Sequence, residues 1–205
     1  MPLLMKHTGP LWGIWKIEES SEVLLSLLRN REEYLPQLEL IRTEQRRREW
    51  LACRVLLQEL TGGPVCVAYR PNGAPYLSGS SLHISISHTK GYVSVILSDK
   101  VPVGIDIEQY GQRVHRVAHK YMREDESVRL YKEDATWSLL LHWCAKETLF
   151  KMIGQEEVDF LHHLHVRPFP YAEEGSFTVY ETRTEEGAVY RLDYLVTPDF
   201  VLTRS

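Results

Sequence analysis

Cysteine is scarce in this sequence, basic residues are not in excess, and apolar runs are short. Three cysteines (Cys53, Cys66, Cys144) stand among 205 residues. The number is odd and no C-x-x-C pair occurs, so the cysteines read as buried apolar groups of a reduced, cytoplasmic protein. No stretch reaches the roughly 18 consecutive apolar residues that a membrane-spanning helix needs. From Met1 to Trp12 no apolar stretch precedes a small-residue cleavage site, so no secretory signal is expected. Lysine and arginine number 24 against 28 acids, a net charge of −4. A protein that tracks phosphate backbones carries a basic excess, so general nucleic-acid binding is not expected. Low-complexity linkers are lacking too.

What is present is ordinary globular composition, with 43% apolar and 25% charged residues. That supports one large domain or two small ones with a core that needs no covalent staples. Trp12 to Ile17 reads as a first strand, and Glu18 to Ser21 as the cap of a helix over Glu22 to Leu28. Helices are expected at Glu32 to Leu40 and Thr43 to Leu60, the latter stopped by Gly62-Gly63-Pro64. Val65 to Tyr69 reads as a strand and Arg70 to Ser81 as a loop. Leu82 to Ser87 alternates with period two. Tyr92 to Leu97 and Val101 to Ile107 follow it across turns, which predicts a three-stranded antiparallel meander. Helices are then expected at Arg113 to Met122, Glu124 to Leu130 and Ala135 to Ile153. A β-rich tail follows, with strands at Leu164 to Arg167, Gly175 to Thr182, Val189 to Val196 and Phe200 to Thr203. The fold class is α+β, and the order of elements allows two similar halves, 1–108 and 109–205.

Asp106 and Glu108 lie two apart on an apolar strand and so point to one face. Gly104 shares that face and leaves room beside them. Paired carboxylates repel unless a cation lies between them, although a solvated strand end carries the same pattern. In the last helix Glu147 and Lys151 are i and i+4, a spacing common in surface ion pairs. The apolar surroundings from Leu139 to Phe150 make burial the expectation, and buried charges need partners. With Lys146, this group suits a metal-bound pyrophosphate: acids for the cation, lysines for the oxygens. Ser87, His88 and the turn beside them can hold a phosphate or merely end a hairpin. Arg113, Arg116, Lys120 and Arg123 form a basic stripe, either solvated or a docking face for an acidic partner. His162, His163 and His165, without neighbouring cysteine or carboxylate ligands, read as loop and strand-edge residues.

Taken together, Gly104-Ile105-Asp106-Ile107-Glu108 and Trp143-Cys144-Ala145-Lys146-Glu147 through Lys151 resemble the two signature motifs of the Sfp-type 4′-phosphopantetheinyl transferases. The family patterns are roughly (V/I)-G-(I/V)-D-x-E and (W/F)-(S/C)-x-K-E-(A/S)-x-x-K, and Asp106 and Glu147 are 41 residues apart. Ile84 to His88 resembles the family's S-x-S-H motif. The resemblance implies two α/β subdomains related by a pseudo-twofold, with the active site between them. It implies transfer of the phosphopantetheine arm of coenzyme A to a serine of an acyl or peptidyl carrier protein, releasing 3′,5′-ADP. Magnesium is then expected on Asp106, Glu108 and Glu147, and phosphate contacts from Lys146 and Lys151. Glu147 or Glu126 is the expected general base. Ser87, His88 and an arginine of the segment 46–54, Arg47 and Arg54 foremost, are expected at the coenzyme A 3′-phosphate. The basic stripe is the expected carrier-protein face, and a monomer the expected state. One departure stands out: Gly73-Ala74-Pro75-Tyr76 has Ala74 where many members have a phosphate-binding lysine, and Arg70 is the nearby cation. Two other classes remain open on the residues: a non-catalytic relative that binds coenzyme A or a carrier protein, and a metal-dependent nucleotide phosphoesterase.

Overall fold

The computed structural model describes residues 3–185 and 187–205. The chain divides into two compact units, Met1–Val101 and Pro102–Ser205. Both mix helices and antiparallel sheet, so the α+β reading holds.

In the first unit, strands β1 (Leu3–Thr8) and β2 (Leu11–Lys16) form a hairpin. Helices α1 (Ser21–Leu27) and α2 (Leu35–Glu39) lead to the long α3 (Glu44–Thr61). A two-stranded hairpin, β3 (Val67–Tyr69) with β4 (Pro75–Leu77), precedes β5 (His83–Thr89) and β6 (Tyr92–Ser98). The main sheet runs β1-β2-β6-β5. α3 begins where Thr43 caps the Arg46 N–H, and it ends at Gly62 in the left-handed conformation (φ 76°). Its buried face, including Leu51, Val55, Leu56 and Leu60, packs with Trp15, Val93, Val95 and Leu97 of the sheet into one core.

The second unit opens with β7 (Ile105–Gln109) and the short α4 (Arg113–Val117). The long α5 (Thr136–Ile153) follows, then β8 (Leu164–Val166), β9 (Glu174–Glu181), β10 (Val189–Val196) and β11 (Phe200–Arg204). The sheet order is β7-β11-β10-β9-β8. α5 is buried over most of its surface, because Leu139, Leu140, Leu141, Cys144, Ala145 and Leu149 pack with Val179, Leu192 and Val201.

Three expectations are corrected. The strand after β6 does not complete a meander: β7 pairs with β11, with Asp106 opposite Thr203 and Glu108 opposite Val201. Glu124 to Leu130 is not helical, because the Glu126 side chain accepts the backbone N–H groups of Arg123 and Val166. The helix expected over Arg113 to Met122 ends at Val117, and a single 3₁₀ turn (Ala118–Lys120) follows. Strands β1 and β4 lie in segments not read as strands. Among the described residues no helix is long and apolar enough to cross a membrane.

Candidate active site

The acidic pair lies on β7 and its expected partners on α5, so both belong to the second unit. That corrects the expectation that Asp106 and Glu108 close the first half. Gly104 sets how closely the two elements approach. A Cβ built on it would lie 2.8 Å from Met152 Cγ and nearer still to the Thr148 carbonyl oxygen. Thr148 and Thr203 share a hydroxyl–hydroxyl hydrogen bond of 2.6 Å, and Thr203 donates to the Cys144 carbonyl at 2.8 Å. These buried bonds tie α5 to β11, the neighbour of β7.

On this frame the Lys151 ammonium donates to Asp106 Oδ1 at 2.7 Å and to the Ile105 carbonyl at 3.0 Å. Asp106 is buried. Burial acts to lower the Lys151 pKa. The Asp106 charge and hydrogen bond, with Glu147, outweigh it and hold the ammonium above its usual value. Glu108 accepts the indole N–H of Trp143 at 2.9 Å. Its carboxyl is pushed up to about 7 by burial first, then by the Asp106 charge, with the Trp143 bond opposing. Glu147 is also raised to about 7, by burial and by Asp106, with Lys151 opposing. Three carboxylates therefore feel one another, and one ammonium does not neutralise them.

Such a donor set fits a hard divalent cation, since oxygen ligands carrying excess negative charge are what magnesium takes. The fit is one of donor chemistry rather than ready-made geometry. Among the described residues no three histidine, cysteine or acidic side chains converge at ligating distance.

Lys146 and Glu126 are placed differently from Lys151. Lys146 is 0% exposed. Its ammonium donates to Glu126 Oε2 at 2.8 Å and to the carbonyls of Tyr121 and Phe160. All three donors are thus spent within the protein. Burial lowers its pKa, opposed by the charge and hydrogen bond of Glu126. Glu126 is buried as well, with Oε1 accepting from the Val166 N–H at 2.8 Å and Oε2 from the Arg123 N–H at 3.1 Å. Adjacent helix positions point about 100° apart. That is why Glu147 reaches the acidic cluster while Lys146 enters the core and fixes the segment that precedes α5.

In the first unit the S-x-S-H segment is the end of β5. Ser87 is buried opposite Ser94 in the sheet. His88 lies at the start of α3: its Nε2 is 2.5 Å from Arg46 Nη1 and its Nδ1 3.5 Å from Glu49 Oε2. The structure thus brings Arg46 to His88, a residue the sequence reading did not single out. The signal that finds it is non-local, the packing of the first turn of α3 against the β5 end. Arg47 instead donates to the Ile41 carbonyl at 2.7 Å. Arg54 is 1% exposed, with its guanidinium 3.3 Å from the Trp50 ring centroid and Nη1 on the Trp50 carbonyl. In the β3–β4 hairpin the Arg70 N–H donates to the Ala74 carbonyl, and the Arg70 guanidinium stacks over Tyr76 at 5.3 Å.

Arg113, Arg116 and Lys120 are exposed on α4 and the turn after it. Arg123 is engaged by Asp125 at 2.8 Å and by the Leu161 carbonyl at 3.0 Å. His162 pairs with Asp159, while the His165 ring stacks on Tyr180 at 4.2 Å.

Comparison with known proteins covers the segment that carries these acids. Residues 102–203 match the model of the 4′-phosphopantetheinyl transferase superfamily. The chain belongs to that superfamily through the unit that carries Asp106, Glu108, Glu147 and Lys151. It is also 30% identical over 112 residues to the 4′-phosphopantetheinyl transferase gsp of Aneurinibacillus migulanus, a match covering 52% of this chain and 46% of the relative. The chain thus spans about half the length of the curated relative it matches.

Proposed function

We propose that this protein transfers the 4′-phosphopantetheine group of coenzyme A to a serine hydroxyl of an apo carrier protein. The observation that carries the reading is the cluster of Asp106, Glu108, Glu147 and Lys151 inside the segment that matches the superfamily. In the reaction the serine oxygen attacks the β-phosphorus of coenzyme A, and the anhydride bond to the α-phosphate breaks. Holo-carrier protein and 3′,5′-ADP are the products.

Asp106, Glu108 and Glu147 would hold magnesium. When bound, the ion supplies Lewis-acid polarisation of the pyrophosphate and neutralises charge on the leaving group. Lys151, kept protonated beside Asp106, adds positive charge where phosphate oxygens gather. The serine proton goes to Glu147 in this reading. Glu126 has both oxygens engaged and its charge matched by Lys146, which favours a positioning role for the pair. His88 and Arg46, with Ser87 behind them, make up the reading's contact for the coenzyme A 3′-phosphate. Arg113, Arg116 and Lys120, with Arg123, make up its docking face for an acidic carrier. A monomer in the cytoplasm completes the reading.

The test is incubation of the protein with coenzyme A, magnesium and apo acyl or peptidyl carrier proteins, followed by intact-mass measurement. Each modified carrier gains one phosphopantetheine arm. No gain with any carrier type overturns the proposal. Coenzyme A cleaved without a carrier would mark a phosphoesterase, and coenzyme A bound but unchanged a non-catalytic relative.

A further inference from the structure

Trp143 lies one turn ahead of Glu147 on α5 and has no part in the chemistry above. Its indole N–H reaches Glu108 Oε1 at 2.9 Å. The ring is held by other rings: Tyr121 meets it edge-on at 5.2 Å between centroids, and Phe160 lies tilted against it at 5.5 Å. Phe150 in turn packs on Phe160 at 5.5 Å. An indole packed in this way has a fixed orientation, so its single N–H donor points to one place. Packing alone could be met by a phenylalanine. Only the N–H accounts for the bond to the carboxylate. That bond takes up one oxygen of Glu108.

We propose that Trp143 is a positioning residue that holds Glu108 by Oε1 and so fixes the carboxylate that, with Asp106 and Glu147, would hold the divalent cation. The inference rests on the reading of these three acids as a magnesium site. Removing a hydrogen-bonding partner behind a metal ligand costs about 10–100-fold in metal affinity.

Mn²⁺ is the probe, because the free aqua ion gives a paramagnetic resonance signal that the bound ion loses. It is titrated into the full chain without coenzyme A or carrier, so no turnover enters the readout. The wild type binds one Mn²⁺ that Mg²⁺ displaces. Trp143→Phe keeps an aromatic ring and binds it about 10–100-fold more weakly. Equal affinity in the two proteins overturns the role of Trp143 and leaves the metal site standing. No Mn²⁺ binding by the wild type overturns the metal reading and this inference with it. A second measurement needs no variant at position 143. The wild type has five tryptophans, and Mg²⁺ shifts one indole N–H resonance, the same one that Glu108→Gln shifts. If Mg²⁺ moves none of the five, or a different one, the inference fails.

Discussion

Gly104→Ala is the most direct probe of how β7 and α5 present the acids. The added methyl would sit 2.8 Å from Met152 Cγ and closer still to the Thr148 carbonyl oxygen. Met152 is flexible and can turn aside. The carbonyl belongs to the helix backbone and cannot move without α5. Carbon atoms in contact settle near 3.5–4.0 Å, so relief needs the strand and helix to part by about 1 Å. Asp106 and Glu108 ride on the strand, Glu147 and Lys151 on the helix. A misplacement of about 1 Å costs on the order of 10²-fold in rate. Overpacking a tight contact costs about 1–3 kcal/mol of stability. For a chain of this size that lowers the melting temperature by roughly 2–12 °C. The assay is carrier modification at a temperature well below the variant's melting point, with circular dichroism recorded in parallel. A variant that is folded but about 10²-fold slower supports the geometry. A variant with wild-type rate and melting temperature would show that Gly104 does not set the spacing.

Other outcomes follow from other parts of the structure. Lys146→Met leaves the Glu126 carboxylate buried without its cation and costs about 3–5 kcal/mol in urea unfolding. Lys146→Met with Glu126→Leu recovers most of that loss, and a double variant as unstable as the single would contradict a paired role. Glu108 and Glu147 titrate near 7 in the fold, above the ordinary carboxylate value of 4.5. The metal-free protein therefore binds more protons than its unfolded chain between these values, and this contribution to stability is full below 4.5 and lost as pH rises through 7. In chelator, Glu108→Gln with Glu147→Gln is more stable than wild type at pH 8, by up to about 3 kcal/mol for each carboxyl replaced, and the advantage largely disappears at pH 5. A pH-independent difference in calorimetric melting would refute the assignment. Charge reversal at Arg116 and Lys120 raises the carrier KM by about tenfold without changing that for coenzyme A. An unmoved carrier KM would place the docking face elsewhere.

Local patterning made the long elements legible and left the tertiary pairings out of reach. α3, α5 and the hairpin β5–β6 stand where periodicity and the stops at Gly62 and Gly154 put them. β1 was missed because as an edge strand it is mostly exposed and shows little apolar alternation. The pairing of β7 with β11 joins residues far apart in sequence, and adjacency to β6 pointed the wrong way. The same limit separates Lys146 from Lys151. Both follow a familiar spacing, but only packing tells that Lys151 meets Asp106 while Lys146 meets Glu126. Likewise the arginines of α3 look alike in sequence, and the fold alone brings Arg46 to His88.

The partnership of β7 with β11 also has a consequence for synthesis. Asp106 and Glu108 leave the ribosome about a hundred residues before the strand that completes their ladder. At roughly 5–20 residues per second that is an interval of about 5–20 s. During it β7 is an unpaired edge, open to association with other chains. The strand with the densest chemistry is thus among the last to be secured. A nascent chain stalled before Phe200 would carry the acidic motif in full, with α5 beside it but without the strand that sets its register.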